Sequence, residues 1–130
     1  HSTSHSDRII DAVSMILESS HVDKVVAITR SGYAARMLSA RNVMQPILAV
    51  SDDPKMARSF NLFSGVQGVY FDAIFPRGSA DHVKSIVCYL HQENMLKDDE
   101  MILITGVIYP RSGVRMNAIQ LHRVIDVIES

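Results

Sequence analysis

Thr29-Arg30-Ser31-Gly32-Tyr33-Ala34 puts two hydroxyls, a guanidinium and a glycine into one short stretch. An apolar run precedes it and a helical pattern follows. The start of a helix offers unpaired N–H groups and a partial positive charge, which suits a phosphate or a similar oxyanion. Gly32 lets the backbone approach closely, and Arg30 can grip a phosphate through two parallel hydrogen bonds. The same residue types also serve simple helix capping. A second group, Thr105, Gly106, Arg111, Ser112, Gly113 and Arg115, follows another apolar run. It repeats the small and basic chemistry, and it reads either as the other half of an anion site or as a solvated loop. These two groups are the candidate phosphate-binding residues, and no catalytic residue is assigned.

Other chemistries find little support. The chain has six histidines. His82 beside Asp81, and His91 further along, lack a matching ligand at helical spacing, so no metal site is expected. His1 and His5 belong to a tag-like start. Cys88 is the single cysteine and sits between Val87 and Leu90 in a helical pattern, as a small buried apolar residue does. No nucleophile-elbow spacing is present. Asp52, Asp53 and Asp72 follow the second and third apolar runs, but a phospho-receiver needs its acidic pair after the first, where Thr29-Arg30 stands.

These residues must be positioned by alternating helices and strands. Ile9, Ile10, Val13, Ile16 and Leu17 recur at helical spacing and predict a helix over Ser6 to Ser19. Buried strands are predicted at Lys24 to Thr29, Pro46 to Val50, Val66 to Phe71 and Met101 to Thr105, each a short, nearly continuous apolar run. Helices are predicted at Tyr33 to Ala40, at Pro54 to Leu62 with Asp53 as its cap, and from Ser79 to about Leu96. Gly106 to Met116 reads as a loop, and Asn117 to Ile125 as a fifth, edge strand. The apolar tail Val124, Ile125, Val127 and Ile128 either covers an edge, pairs with another subunit or packs back on its own domain.

Repeated β-α units imply a parallel sheet with helices on both faces. Ligands of such sheets bind beyond the carboxyl ends of the strands, where the winding reverses. The two candidate groups lie at strand ends of this kind.

At 130 residues, with 47% hydrophobic, the chain suits one domain with an ordinary core. Thirteen basic and fourteen acidic residues leave a net charge of -1, which gives no basis for nucleic-acid binding. No apolar run approaches the roughly 20 residues that cross a bilayer. One cysteine fits a reducing, cytoplasmic setting. His1-Ser2-Thr3-Ser4-His5 reads as tag residues at a cloning boundary, which makes residues 6–130 the domain and points to a longer parent.

KVVAITRSGYAARMLSARNVMQPILAVSDDPKMARSFNLFSGV resembles the C-terminal domain of pyruvate kinases. The matching features are Thr29, Ser31-Gly32, Pro46-Ile47-Leu48-Ala49-Val50, Asp53-Pro54, Ala57-Arg58 and Gly65-Val66. Leu96 to Gly106 resembles the family's Lys-Gly-Asp turn, apolar strand and Thr/Ser-Gly. Pro110, Ser112-Gly113 and Asn117 match the glycine-rich loop and the Asn before its last strand. The similarity runs from about Ser6 to Val124.

The resemblance implies a three-layer α/β/α sandwich whose five-stranded mixed sheet has its last strand antiparallel. It implies a regulatory and oligomerisation domain that binds phosphorylated effectors and helps to form a tetramer with the rest of the pyruvate kinase chain. Phosphoenolpyruvate, ADP, Mg²⁺ and K⁺ then belong to a (β/α)₈ barrel too large for 130 residues. The resemblance also marks departures. Ala34 stands where effector-binding members usually carry a hydroxyl, and Tyr33 where a basic residue is common. Asp81 falls near an arginine that sugar-bisphosphate-regulated members use, with Arg77 nearby. The expected ligand is therefore a monophosphate, a sulfate-like anion or none. The alternative reading is a free-standing phospholigand-binding module without kinase activity.

Overall fold

A computed structural model describes residues 5–29, 31–72, 81–106 and 118–130. The element order is α1 (His5–Ser19), β1 (Lys24–Ile28), α2 (Tyr33–Ala40), β2 (Ile47–Ser51), α3 (Pro54–Phe60), β3 (Val66–Tyr70), α4 (Asp81–Gln92), β4 (Met101–Gly106), β5 (Ala118–Arg123) and α5 (Val124–Ile128). The strands form one sheet in the order β3-β2-β1-β4-β5. The first four are parallel, and β5 runs antiparallel to β4.

Strand alternation divides the core into two layers. Val25, Ala27, Ile47, Ala49 and Leu103 face one side and pack on Ile10, Val13 and Leu17 of α1, on Ala34, Ala35 and Leu38 of α2, and on Phe60 of α3. Val26, Ile28, Leu48, Val50, Ile102 and Ile104 face the other and pack on Val83, Ile86, Val87 and Leu90 of α4. The central strands are buried on both faces, which explains their unbroken apolar sequences. From β1 the chain winds outward to β2 and β3 with α2 and α3 on one face. It then returns to β4 with α4 on the opposite face, as right-handed crossovers in both directions require. The winding thus reverses between β1 and β4. The three-layer α/β/α sandwich and antiparallel last strand expected from the sequence are both present.

Helix α3 stops at Phe60, two residues before the expected Leu62, and two further ends differ in a way that shapes the packing. The predicted edge strand to Ile125 stops at Arg123, and Val124 opens α5. The Val124 N–H still follows the β5–β4 register to the Glu100 carbonyl, and the Ile125 N–H leaves it for the Asp98 carbonyl, each at 3.0 Å. This turn buries Val124 and Val127 in the layer that contains α4. Lys84 of α4 donates to the carbonyl of Ser130 and closes the end. Val124 and Val127 of the apolar tail thus pack back on their own domain.

Helix α4 was expected to reach Leu96 but ends at Gln92. Asn94 takes a left-handed conformation with φ 61°. Met95 N–H then bonds back to the Leu90 carbonyl at 2.9 Å, and Asn94 N–H to that of His91 at 3.1 Å. This paired pattern satisfies the last carbonyls and stops the helix.

Candidate functional site

The carboxyl ends of β1 and β4 lie side by side. Ala27 pairs with Thr105 and Ile28 with Gly106, so the ends of the two strands are neighbours on one rim. Thr29 continues β1 by donating its N–H to the Val50 carbonyl at 2.9 Å.

Past Thr29 the chain folds tightly into α2. Gly32 is the N-cap residue, with φ 80° and ψ 8° in the left-handed region. Its N–H donates to Thr29 Oγ1 at 3.0 Å, and the Tyr33 N–H donates to Ser31 Oγ at 3.3 Å. Both hydroxyls therefore act as acceptors within the turn, which leaves their own protons to be donated elsewhere. Ser31 is exposed and Thr29 half-buried. The amino end of α2 points its partial positive charge at the same rim.

The other candidates separate by role. Tyr33 is 7% exposed and Ala34 1%, so both side chains turn into the core instead of toward the rim. The Tyr33 hydroxyl donates to the Asp7 carboxylate on α1. Thr105 is fully buried, and its hydroxyl donates to the Ala118 carbonyl at 3.0 Å, fastening β5 to β4. Gly106 contributes backbone at the rim. Arg30, Arg111, Ser112, Gly113 and Arg115 lie outside the described residues, as does Arg77.

Beneath the rim, on the α4 side, Ile28, His82, Thr105 and Gln120 help to line a cavity of about 10 Å³. That is room for a water, not for a sugar phosphate. A ligand at this place rests on the rim. A larger concavity of about 600 Å³ lies at the opposite end of the sheet, between α1 and the α2–β2 connection, with Arg41 and Met44 on its wall.

Among the described residues, carboxylates gather on the β2–β3 side of the rim. Asp52 and Asp53 follow β2 and Asp72 follows β3. Tyr70, at the end of β3, registers them: partial burial, then the charges of Asp72, Asp52 and Asp53, push its phenol above its ordinary value of 10.0. Among the described residues no group of three His, Cys, Asp or Glu side chains converges as a metal site would require, and no helix is long and apolar enough to cross a membrane.

The family model described as the alpha/beta domain of pyruvate kinase matches residues 7–122. The chain belongs to this pyruvate kinase domain family. Two crystal structures of pyruvate kinase from Cryptosporidium parvum share its fold, with TM-scores of 0.74 and 0.73 at 17% sequence identity. Each alignment covers 95% of this chain and 23% of the longer one, so the chain spans about a quarter of the length of those enzymes. No curated protein matches it by sequence. The pyruvate kinase alpha/beta fold accounts for the antiparallel β5 and for the reversal of winding between β1 and β4.

Sequence reasoning found the turn but missed two residues that support it. Phe60, from α3, packs directly under Gly32. Asp7, 26 positions before Tyr33, receives its hydroxyl. Neither has a local sequence signal, because each meets the turn only through the tertiary fold.

Proposed function

We propose that this chain is the regulatory and assembly domain of a pyruvate kinase, the cytoplasmic enzyme that moves a phosphoryl group from phosphoenolpyruvate to ADP. On this reading the chemistry, with its Mg²⁺ and K⁺, belongs to the barrel of the parent enzyme. This chain contributes no catalytic residue. Its partners are the rest of the parent chain and further copies in a homo-oligomer.

The observation that carries the reading is the adjacency of the β1 and β4 ends at the reversal of winding, where sheets of this type take their ligands. A phosphorylated small molecule fits there against Arg30, Ser31 and Gly32. The Thr29 and Ser31 hydroxyls have protons to give, since each already accepts a backbone N–H. Asp52, Asp53 and Asp72 flank the same rim on the β2–β3 side and repel any second phosphate that reaches toward them. The charge pattern therefore favours a monophosphate. Such a ligand regulates the parent enzyme only as far as it binds one arrangement of the subunits better than another.

Calorimetry on the 130-residue chain tests this with ribose 5-phosphate and fructose 1,6-bisphosphate. The monophosphate should bind at least as tightly as the bisphosphate. Arg30→Ala should weaken it by about 1.5–3 kcal/mol, the range for a direct charge-assisted contact. Tight bisphosphate binding that ignores Arg30→Ala contradicts the assignment.

A further inference from the structure

Tyr33 joins three parts of the molecule. It is the first residue of α2. Its N–H is held by Ser31 Oγ inside the turn, at 3.3 Å. Its ring is buried in the α1–α2 layer, and its hydroxyl donates to Asp7 in the first turn of α1. A residue fixed at both ends cannot follow a movement of the turn without moving its far partner. Cores are packed too densely to absorb such a shift locally.

The contact also sits where it can carry a signal. Helix α1 spans the layer above the sheet, and Ile119 of β5 packs against the same cluster as Ile10, Val13 and Leu17. A change in the pose of α1 therefore reaches the edge strand as well as the turn. Two neighbouring elements hold α1 in other ways: Arg41, just past α2, pairs with Asp11 at 2.7 Å, and Gln45 donates to the Leu17 carbonyl at 3.0 Å. Both contacts lie nearer the opposite end of α2. The Tyr33–Asp7 bond is a polar link between α1 and the rim.

We propose that the Tyr33–Asp7 hydrogen bond is a relay that couples occupancy of the β1–α2 turn to the position of α1, with Tyr33 acting as a positioning residue and not as a ligand contact. The inference rests on the reading of the turn as an anion site. Coupling of this kind is reciprocal: whatever factor phosphate contributes to holding α1 in place, the intact latch contributes to holding phosphate.

Amide exchange and backbone NMR on the 130-residue chain, with inorganic phosphate as the probe, decide the matter. In the unsubstituted chain phosphate should shift the amides of residues 29–34 and slow exchange in the first two turns of α1 by about fivefold, the lower end of ordinary coupling. In Tyr33→Phe, which keeps the buried ring, phosphate should still shift the turn while the response of α1 disappears. Asp7→Ala should do the same, and combining the two should add nothing further. A shifted turn with α1 unmoved in the unsubstituted chain overturns the relay and leaves the anion site standing. So does an α1 response that survives in Tyr33→Phe. If phosphate leaves residues 29–34 unperturbed, the anion site and the relay both fall.

Discussion

Phe60 lies directly against Gly32: a β-carbon built on Gly32 would sit 2.5 Å from Cε1 of the Phe60 ring. The ring is fully buried at the end of α3, so it cannot swing into solvent. Gly32 also holds φ at +80°, where a β-carbon is strained whatever the space. The shape of the turn is thus set from below by a helix two elements later in the chain.

Gly32→Ala should therefore cost about 2–4 kcal/mol of stability, combining the left-handed backbone with overpacking. Urea unfolding measures it. Phe60→Leu makes room, so the double variant should lose about 1 kcal/mol less than the sum of the singles. Strict additivity would show that the two residues do not meet as described.

Glu100 ties the start of β1 to the approach to β4. Its Oε1 accepts from Lys24 Nζ at 3.2 Å and from the Lys97 N–H at 2.8 Å, while the same ammonium donates to the Met95 carbonyl at 2.8 Å. Both side chains are largely covered, at 23% and 16% exposure. Glu100→Ala leaves the ammonium short of its counter-charge and should cost about 1–3 kcal/mol. Lys24→Met in that background should recover part of the loss, measured by the same unfolding experiment. No recovery would mean that Glu100 acts through the Lys97 N–H and not through Lys24.

Tyr70 carries the pH prediction. Its phenol is held above 10.0 by partial burial first, then by Asp72, Asp52 and Asp53. The folded chain therefore favours the neutral phenol more than the unfolded chain does. That contribution is complete below the ordinary value and is lost as pH rises through the raised one. Ultraviolet difference titration against Tyr70→Phe isolates this group. Asp72→Asn should lower its midpoint, since Asp72 acts through both charge and a hydrogen bond. An unchanged midpoint would show that burial alone sets it.

The parts of the fold most legible in the sequence were those governed by local pattern. KVVAI, ILAVS and MILITG are buried on nearly every residue, and burial on both faces of a parallel strand leaves an unbroken apolar run. Asp53-Pro54 marked the start of α3, and Asp53 accepts from the N–H groups of Lys55 and Met56 at 2.9 and 3.3 Å. The end of α4 was obscured because Met95 and Leu96 continue its apolar spacing, although Asn94 breaks the backbone. Helix α5 was obscured because the edge strand before it alternates only weakly. Val124, Val127 and Ile128 do fit a helical period, and that signal was present.

In the site, the turn from Thr29 to Gly32 was legible because glycine and hydroxyls between a strand and a helix have a local meaning. The burial of Tyr33 and Ala34 was not. A helix of eight residues is too short for its period to say which of its first residues face inward. The full burial of Thr105 depends on β5, whose register no local pattern reveals.

Crystals soaked with ribose 5-phosphate test the central claim most directly. The account predicts phosphate density on the rim between the β1 and β4 ends, within hydrogen-bond distance of the Ser31 hydroxyl. Phosphate density at the opposite end of the sheet, beside Arg41 and Met44, with the turn from Thr29 to Gly32 empty, would contradict it.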